Sequence, residues 1–203
     1  MRSADAPSPA RQDRRKERIR AALVGAAQRL ISEGKDAGAG IQAITDLADV
    51  GFGSFHNYFS SKEELFDAAT SAAVDDYLNW LDERVTEGAD PVTRLIDNVR
   101  HTGRLALEQP RVAAILARRI PLLEDVHDPR ARRIRADVRA VMTAGGAAQE
   151  TLEFDILVTA ALGAIMAVLR RTISLSAVDT ADAAEVLAQA VLRLLSPPSS
   201  TSA

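Results

Sequence analysis

The chain has 203 residues, no cysteine and a net charge of −3 at pH 7. This length allows one or two domains with a sizeable core. The lack of cysteine excludes disulfides and thiolate metal sites. The three histidines, His56, His101 and His127, are scattered and give little basis for a metal site. No metal and no cofactor are therefore expected.

The sequence gives no sign of a membrane segment. The N-terminus is polar, with Pro7 and Pro9, and lacks the apolar stretch of a secretory signal. The longest nearly apolar run, 156–169, is interrupted by Thr159 and has fourteen residues, too few to span a bilayer. The sequence thus predicts a cytoplasmic protein without a membrane partner.

Positive charge is concentrated near the N-terminus. Residues 1–62 carry ten Lys and Arg against seven Asp and Glu, a net of +3. Residues 63–203 carry fifteen against twenty-one, a net of −6. Six of the basic residues form one cluster: Arg11, Arg14, Arg15, Lys16, Arg18 and Arg20. Such a cluster is either a solvated helix face or an arm that contacts phosphates.

Apolar residues recur at helical spacing through nearly the whole chain, and Gly and Pro separate the segments. After a disordered tail at 1–11, this pattern predicts helices at about 13–33, 41–48, 52–59, 61–85, 91–108, 111–119, 128–143, 149–173 and 181–195. A polar tail follows at 196–203. Because no strand pattern and no repeat are found, the expected fold is all-α with about nine helices.

The two short helices and the turn at 41–59 form a helix-turn-helix. A unit this small must be locked by few contacts, which explains its concentration of aromatic residues. Gly51 is expected where the backbone can turn or tolerate close approach. The next helix opens with a capping box, Ser61-Lys62-Glu63-Glu64. The residues expected to face inward are Ile44, Leu47, Ala48, Val50, Phe55 and Phe59.

The other face of the second short helix is suited to DNA. Its residues are small or hydrogen-bonding, and none is acidic: Gly53, Ser54, His56, Asn57 and Tyr58. Small residues permit close approach to a major groove, and the others can donate to phosphates or base edges. Lys62 follows at the start of the next helix, where a phosphate is favoured.

The segment ITDLADVGFGSFHNYFSSKEELF, residues 44–66, resembles the DNA-binding signature of the TetR family of bacterial transcriptional regulators. The departures are Thr45, Asp49 and Gly51 for the family's Ala, Gly and Ser, and His56 for a Tyr that commonly contacts a phosphate. The resemblance is specific from Ile19 to Phe66, and the rest agrees in length and helical layout. Outright matches are Ile44, Ala48, Val50, Gly53, Tyr58, Phe59, Ser61, Lys62, Glu63 and Leu65.

The resemblance implies a helix-turn-helix DNA-binding domain at 12–60 and an effector-binding and dimerisation domain at 61–195. It favours the phosphate-contacting interpretation of the basic cluster. The implied function is a dimeric repressor, not an enzyme, that a small molecule releases from a double-stranded DNA operator. The residues implied at the DNA are Arg14, Arg15, Arg18, Gln42, Thr45, Phe52, Gly53, Ser54, His56, Asn57, Tyr58 and Lys62.

The helices at 149–173 and 181–195 are predicted to form the homodimer. The first is apolar nearly all round, and both carry small residues that allow close packing. Two such helices from each chain would form a four-helix interface, and the alternative is burial against their own chain. The candidate effector-binding residues, each of which could instead belong to the core or the surface, are Trp80, His101, Arg104, Met142 and Met166.

Two other classes of function are considered: a helical enzyme or ligand-binding module without DNA binding, and a helical adaptor. No nucleophile–base pair, phosphate loop or metal-ligand spacing is found after residue 61, so no catalytic residue is predicted. Asp75-Asp76 and Glu124-Asp125 are interpreted as solvated pairs. Only a DNA-binding protein needs its basic cluster and Lys62 on the same side as residues 54–58.

Overall fold

The computed structural model describes residues 9–84, 89–119, 129–144 and 151–195. These ranges contain nine helices and no strand, which confirms the expected all-α fold. In chain order they are α1 (Pro9–Glu33), α2 (Ile41–Leu47), a 3-10 helix (Phe52–Asn57), α3 (Lys62–Asp82), α4 (Pro91–Glu108), α5 (Pro110–Arg119), α6 (Pro129–Ala144), α7 (Leu152–Thr172) and α8 (Ala177–Leu195).

Two helices begin earlier than predicted, each with a local cause. α1 starts at Pro9, inside the predicted tail; proline suits a first turn because its missing N–H would have no partner there. α8 starts at Ala177 rather than near 181. The Ser176 hydroxyl accepts from the Asp179 N–H (3.2 Å) and donates to the Asp179 carboxylate (2.8 Å), which caps the helix. The remaining tail predictions, at 1–8 and 196–203, lie outside the described residues.

The chain divides into two compact units, Met1–Ala73 and Val74–Ala203, so that α3 begins in the first and ends in the second. The first unit packs α1, α2, the 3-10 helix and the start of α3 around one apolar core. The Gln28 side-chain amide donates to the Ala69 carbonyl (3.3 Å), joining α1 to α3. Its largest fully buried side chains are Leu23, Ile31, Ile44, Phe55 and Leu65.

α2 ends in a Schellman motif, with the left-handed position occupied by Asp49 at φ 53°. The Asp49 N–H donates to Asp46 (3.2 Å), and the Val50 N–H donates to Thr45 (3.0 Å). The left-handed position of this turn is at Asp49 and not at Gly51, which has an ordinary extended backbone (φ −63°, ψ 138°). Aspartate is among the few residues that tolerate a positive φ.

α3 begins with the predicted capping box, except that one of its two partners is Ser60 and not Ser61. The Glu64 N–H donates to the Ser61 hydroxyl (3.1 Å). The Glu64 carboxylate reaches back to Ser60 rather than Ser61, accepting from the Ser60 hydroxyl (2.6 Å) and backbone N–H (2.7 Å). These two bonds from Ser60 lower the pKa of the Glu64 carboxyl below its ordinary value.

The second unit is built around α4, which packs against α5, α6, α7 and α8. Its N-terminus is capped by Asp90, whose carboxylate accepts from the N–H groups of Val92 (3.0 Å) and Thr93 (3.1 Å). α4 approaches α8 closely at Gly103. A Cβ at that position would lie 2.7 Å from the Ala184 Cβ. Glycine is thus required for this helix spacing.

α7 has 21 residues and is long and apolar enough to cross a membrane by length and composition. It extends beyond the fourteen-residue run apparent in the sequence, because the helix includes Leu152 and Phe154 before that run. Phe154, Leu162 and Leu169 are buried in the second unit. A core helix of a soluble protein passes the same test, so α7 is weak evidence for a membrane span.

Candidate nucleic-acid interface and effector pocket

Residues 52–58 of the first unit, called the recognition segment below, are held by two buried aromatic rings. Phe55 and Phe59 are 0 % and 2 % exposed, and their ring centroids lie 6.2 Å apart. The N–H groups of Tyr58 (2.9 Å) and Phe59 (3.1 Å) both donate to the Phe55 carbonyl. Large rings bury much area per residue, so two of them fix this short segment on its unit.

The segment itself is a 3-10 helix rather than the α-helix expected over 52–59. Gly53, His56 and Asn57 are exposed, Ser54 and Tyr58 are half-buried, and Phe52 is 51 % exposed. The His56 ring packs edge-on against Phe55, with centroids 5.2 Å apart. The residues predicted for the recognition surface therefore share one short exposed turn, and an apolar ring stands among them.

The basic residues of the N-terminal cluster lie on α1. Arg14, Arg15 and Arg18 are exposed along the N-terminal half of that helix. The Arg20 guanidinium lies 5.3 Å from the Phe59 ring centroid, a cation–π contact. Sequence reasoning did not assign Arg20 a role of its own, although it belongs to the cluster. Lys62, half-buried, is the first residue of α3 and follows the segment by only a few positions.

Of the α2 residues with predicted roles, Thr45 and Leu47 differ from the prediction, whereas the exposure of Gln42 agrees with it. Thr45 is fully buried, and its hydroxyl lies in hydrogen-bond range of the Ile41 (3.1 Å) and Gln42 (2.9 Å) carbonyls, so it has no surface to offer DNA. A threonine within a helix commonly bonds back to the preceding turn in this way. Gln42 is exposed, with its amide donating to Asp46 (2.6 Å). Leu47, expected to face inward, is 37 % exposed.

A pocket of about 550 Å³, part of it open to solvent, lies in the second unit and is lined by residues of α3, α4, α5, α6 and α7. Most of its wall is aliphatic. The apolar lining includes Leu78, Leu81, Val99, Ile134, Ile165 and Met166, and the polar lining consists of Tyr77, Asn98, Thr102, Arg133 and Asp137. This composition is typical of a small-molecule site, where a few polar groups orient a mostly apolar ligand.

The polar side of the pocket is centred on a buried carboxylate. Asp137 is 5 % exposed and accepts from Arg94 Nε (3.1 Å) and Asn98 Nδ2 (2.9 Å). Nearby, the Tyr77 and Thr102 hydroxyl oxygens lie 2.7 Å apart. Since Thr102 donates its proton to the Asn98 carbonyl (2.7 Å), Tyr77 is the donor in that pair.

Arg133 completes the polar side. Its guanidinium pairs with Asp82, while its Nε is buried without a hydrogen-bond partner in the part of the chain described. Arg133 and Asp137 are four residues apart on α6, so both belong to the same face of that helix. Arg133 and Asp137 thus both line the pocket, one helical turn apart on α6.

Of the five predicted effector-binding residues, only Met166 lines this pocket. Trp80 and His101 pack edge-on with ring centroids 6.0 Å apart, and the Arg84 guanidinium lies 4.3 Å from the Trp80 centroid. Burial lowers the pKa of His101 below its ordinary value. Arg104 is not in the pocket lining, and Met142 packs against the core of the second unit.

The polar pocket residues that were not predicted share a recognisable spacing in the sequence. Asn98 and Thr102 are four apart on α4, as are Arg133 and Asp137 on α6. Polar pairs at this spacing mark one helix face. Asp75 and Asp76 are exposed, as their interpretation as a solvated pair requires; Glu124-Asp125 lies outside the described residues.

α7 and α8 each carry large apolar side chains that the described chain leaves uncovered. On α7, Leu152 is 77 % and Ile156 is 58 % exposed; on α8, Val178 is 72 % and Val186 is 69 % exposed. The small residues Ala160 and Ala167 of α7 are also exposed. These are the two helices predicted to pair between chains.

Comparison with solved structures finds similar folds along most of the chain. RolR in complex with resorcinol is 26 % identical, with 90 % of this chain and 89 % of that chain covered and a TM-score of 0.57. Two further structures share the fold. A TetR-like transcriptional regulator from Rhodococcus sp. RHA1 is 19 % identical, with 93 % of this chain and 99 % of that chain covered and a TM-score of 0.65. FadR from Bacillus subtilis in complex with stearoyl-CoA is 18 % identical, with 86 % of this chain and 96 % of that chain covered and a TM-score of 0.61.

Among curated proteins, none matches the chain. Residues 23–69 match the model of the bacterial regulatory proteins of the tetR family. That range contains the helix-turn-helix, the exposed turn at 52–58 and Lys62, and the all-helical second unit agrees with the TetR-like structures. The N-terminal part of the chain, residues 23–69, is therefore similar to the bacterial regulatory proteins of the tetR family.

Proposed function

We propose that the protein is a transcriptional repressor that binds a double-stranded DNA operator as a homodimer and is released by a small molecule. The observation that carries the DNA-binding part is the exposed, acid-free turn at 52–58, held by buried Phe55 and Phe59 and followed by Lys62. Regulation by binding DNA requires no catalysis, and the site of action is the cytoplasm, where the DNA lies.

The proposed DNA contacts separate into two kinds. The arginines of α1, Tyr58 and Lys62 bind phosphates and set the position of the protein, whereas Ser54 and Asn57 read base edges. Gln42 exchanges its bond to Asp46 for one to DNA. Thr45 is left out because it is buried. The full proposed set is Arg14, Arg15, Arg18, Gln42, Phe52, Gly53, Ser54, His56, Asn57, Tyr58 and Lys62.

The proposed homodimer pairs α7 and α8 of one chain with those of its partner. The exposed side chains of Leu152, Ile156 and Val186 would be covered by this pairing. A two-fold interface also matches the DNA, because one helix-turn-helix reads only a half-site and a dimer reads two half-sites at a set spacing.

The proposed effector site is the pocket of the second unit. RolR and FadR were each solved with a small molecule, resorcinol and stearoyl-CoA respectively, which supports a ligand-responsive regulator. α3 supplies Lys62 at its start and the pocket residues Tyr77, Leu78 and Leu81 near its end. A ligand that shifts α3 would change the spacing of the two recognition segments and weaken DNA binding.

The first experiment is a mobility-shift assay with the DNA upstream of the protein's own and adjacent genes, over a series of salt concentrations. We expect a discrete, salt-sensitive complex of a size that fits one dimer or a pair of dimers. Weak binding that is equal on every DNA fragment would contradict the proposed function.

Variants then test the contacts. Lys62→Ala should weaken operator and non-specific binding together and reduce the slope of log K against log salt by about 0.9 per half-site. Lys35→Ala is the matched control, since Lys35 is an exposed lysine of the same unit that pairs with Glu33 (2.7 Å). Ser54→Ala should instead alter sequence preference. A Lys62→Ala protein with unchanged affinity and salt slope would refute the phosphate contact.

A further inference from the structure

We infer that the pocket of the second unit selects an uncharged, compact and largely apolar molecule that carries a hydroxyl group: a phenol or an alcohol. The inference rests on the proposed function and deepens it, because it names the chemical class of the effector. It depends on three features of the pocket: paired charges, one donor beside one acceptor, and an aliphatic wall.

The charges at the pocket are already paired. Asp137 is bonded to Arg94 (3.1 Å), and Arg133 is paired with Asp82. A carboxylate or phosphate ligand would need a cation that is not already paired, and an ammonium ligand would need such an anion. Because Asp137 is only 5 % exposed, solvent cannot compensate an added charge beside it. The pocket therefore favours a neutral ligand.

Two groups on the polar side can serve a ligand hydroxyl, a donor on Arg133 and an acceptor on Asp137. Arg133 Nε is buried and, within the described ranges, has no acceptor. One Asp137 oxygen accepts from Arg94 and the other from Asn98, and a carboxylate can accept about four bonds in total. A hydroxyl accepts from the first group and donates to the second. An ether or ketone of the same size could accept from Arg133 but could not donate to Asp137.

The remaining wall selects an apolar body. Leu78, Leu81, Val99, Ile165 and Met166 offer no hydrogen bond of consequence, so a polyol or a nucleotide would lose its hydration there without compensation. A coenzyme A thioester would bring several phosphate charges to a pocket whose arginines are already paired.

The test measures direct binding to the full-length protein without DNA, by titration calorimetry and by the shift in melting temperature. The probes are phenol, the three benzenediols and cyclohexanol. Their matched controls are anisole, which can only accept, toluene, which has no polar group, and benzoate, which is charged. We expect at least one hydroxyl compound to bind at least tenfold more tightly than each control. Equal or tighter binding of benzoate, anisole or toluene would overturn the inference.

Two variants place the binding in this pocket. Arg133→Lys keeps a cation for Asp82 but removes Nε, and Asp137→Asn removes the charged acceptor; each should weaken binding of the hydroxyl compound at least tenfold. The matched control is Arg132→Lys, at an exposed neighbouring position on α6, which should change nothing. If Asp137→Asn does not fold, Arg133→Lys alone decides, and wild-type affinity in that variant overturns the inference.

The outcomes separate this inference from the proposed function. Hydroxyl compounds that bind through Arg133 and Asp137 to a protein that forms no operator complex would support the inference and refute the regulator. An operator complex that stearoyl-CoA or benzoate dissolves, while no hydroxyl compound binds, would support the regulator and overturn the inference.

Discussion

Replacing Gly103 by alanine should destabilise the second unit, because the added methyl group would enter α8. A Cβ on residue 103 would lie 2.7 Å from Ala184 Cβ and 2.8 Å from Ala184 Cα. Carbon atoms in contact are normally about 3.5–4.0 Å apart. Neither blocking atom belongs to a side chain that can rotate away, so α4 and α8 must separate by about 1 Å.

The net cost combines two terms of opposite sign. Overpacking a well-packed core costs about 1–3 kcal/mol. Alanine is favoured over glycine within a helix by about 1 kcal/mol, which offsets part of that cost. With both distances far below contact, we expect a net loss of about 1–2 kcal/mol, which lowers the melting temperature of a chain this long by about 2–8 °C.

The assay is urea and thermal denaturation followed by circular dichroism, with Gly25→Ala as the matched control. Gly25 lies within α1, and a Cβ there meets nothing within 4 Å, so alanine should stabilise that helix by about 1 kcal/mol. Adding Ala184→Gly to Gly103→Ala should restore part of the loss. A stability gain in Gly103→Ala equal to that of Gly25→Ala would refute the close-approach argument.

Three further predictions concern a turn, a cap and the proposed dimer. Asp49→Gly should raise the free energy of unfolding by about 0.5–1 kcal/mol in urea denaturation, because glycine adopts a positive φ without the steric cost that Asp49 bears; no gain, or a loss, would count against that strain. Hydrogen bonds from Thr93, then from the Val92 N–H, hold the pKa of Asp90 below its ordinary 3.8. The stabilisation that Asp90 contributes is therefore present above pH 3.8 and is lost as the pH falls through the lowered pKa. The stability difference between wild type and Asp90→Ala should shrink in acid, and a constant difference would contradict the cap. Val186→Glu should convert the proposed dimer to monomer in sedimentation experiments, whereas the exposed change Asp179→Glu on the same helix should not; a dimeric Val186→Glu protein would place the interface elsewhere.

Helix positions follow closely from the sequence where local chemistry marks both ends. The prediction for α4 has the observed bounds, because Pro91 can only begin a helix and Pro110 excludes helix at the residue before it. The short segment at 52–57 is helical as predicted, but of the tighter 3-10 type. Six residues between a turn and the next helix gain little from α-helical hydrogen bonding, so the packing of Phe55 determines the helix type of this segment.

The two candidate sites differ in how far the sequence predicts them. Most of the proposed DNA-binding surface comes from one continuous segment with a family signature, so most of its residues can be named without knowing the tertiary fold, although Thr45 proves to be buried. The pocket combines Tyr77, Asn98, Asp137 and Met166 from four helices. Their meeting depends on helix packing, which periodicity does not give. Trp80 and His101 are residue types common in ligand sites, but they pack against each other and do not line the pocket.

Trp80 is the only tryptophan of the chain and belongs to the second unit. Its ring is 5 % exposed, beneath the Arg84 guanidinium and beside His101. Its fluorescence therefore reports the unfolding of that unit alone, whereas circular dichroism reports the helices of both. In one denaturation experiment, a gap between the two transitions would show that the units unfold separately, and coincidence would show a single cooperative transition. The placement of one indole thus makes the energetic coupling between the two units measurable without any label.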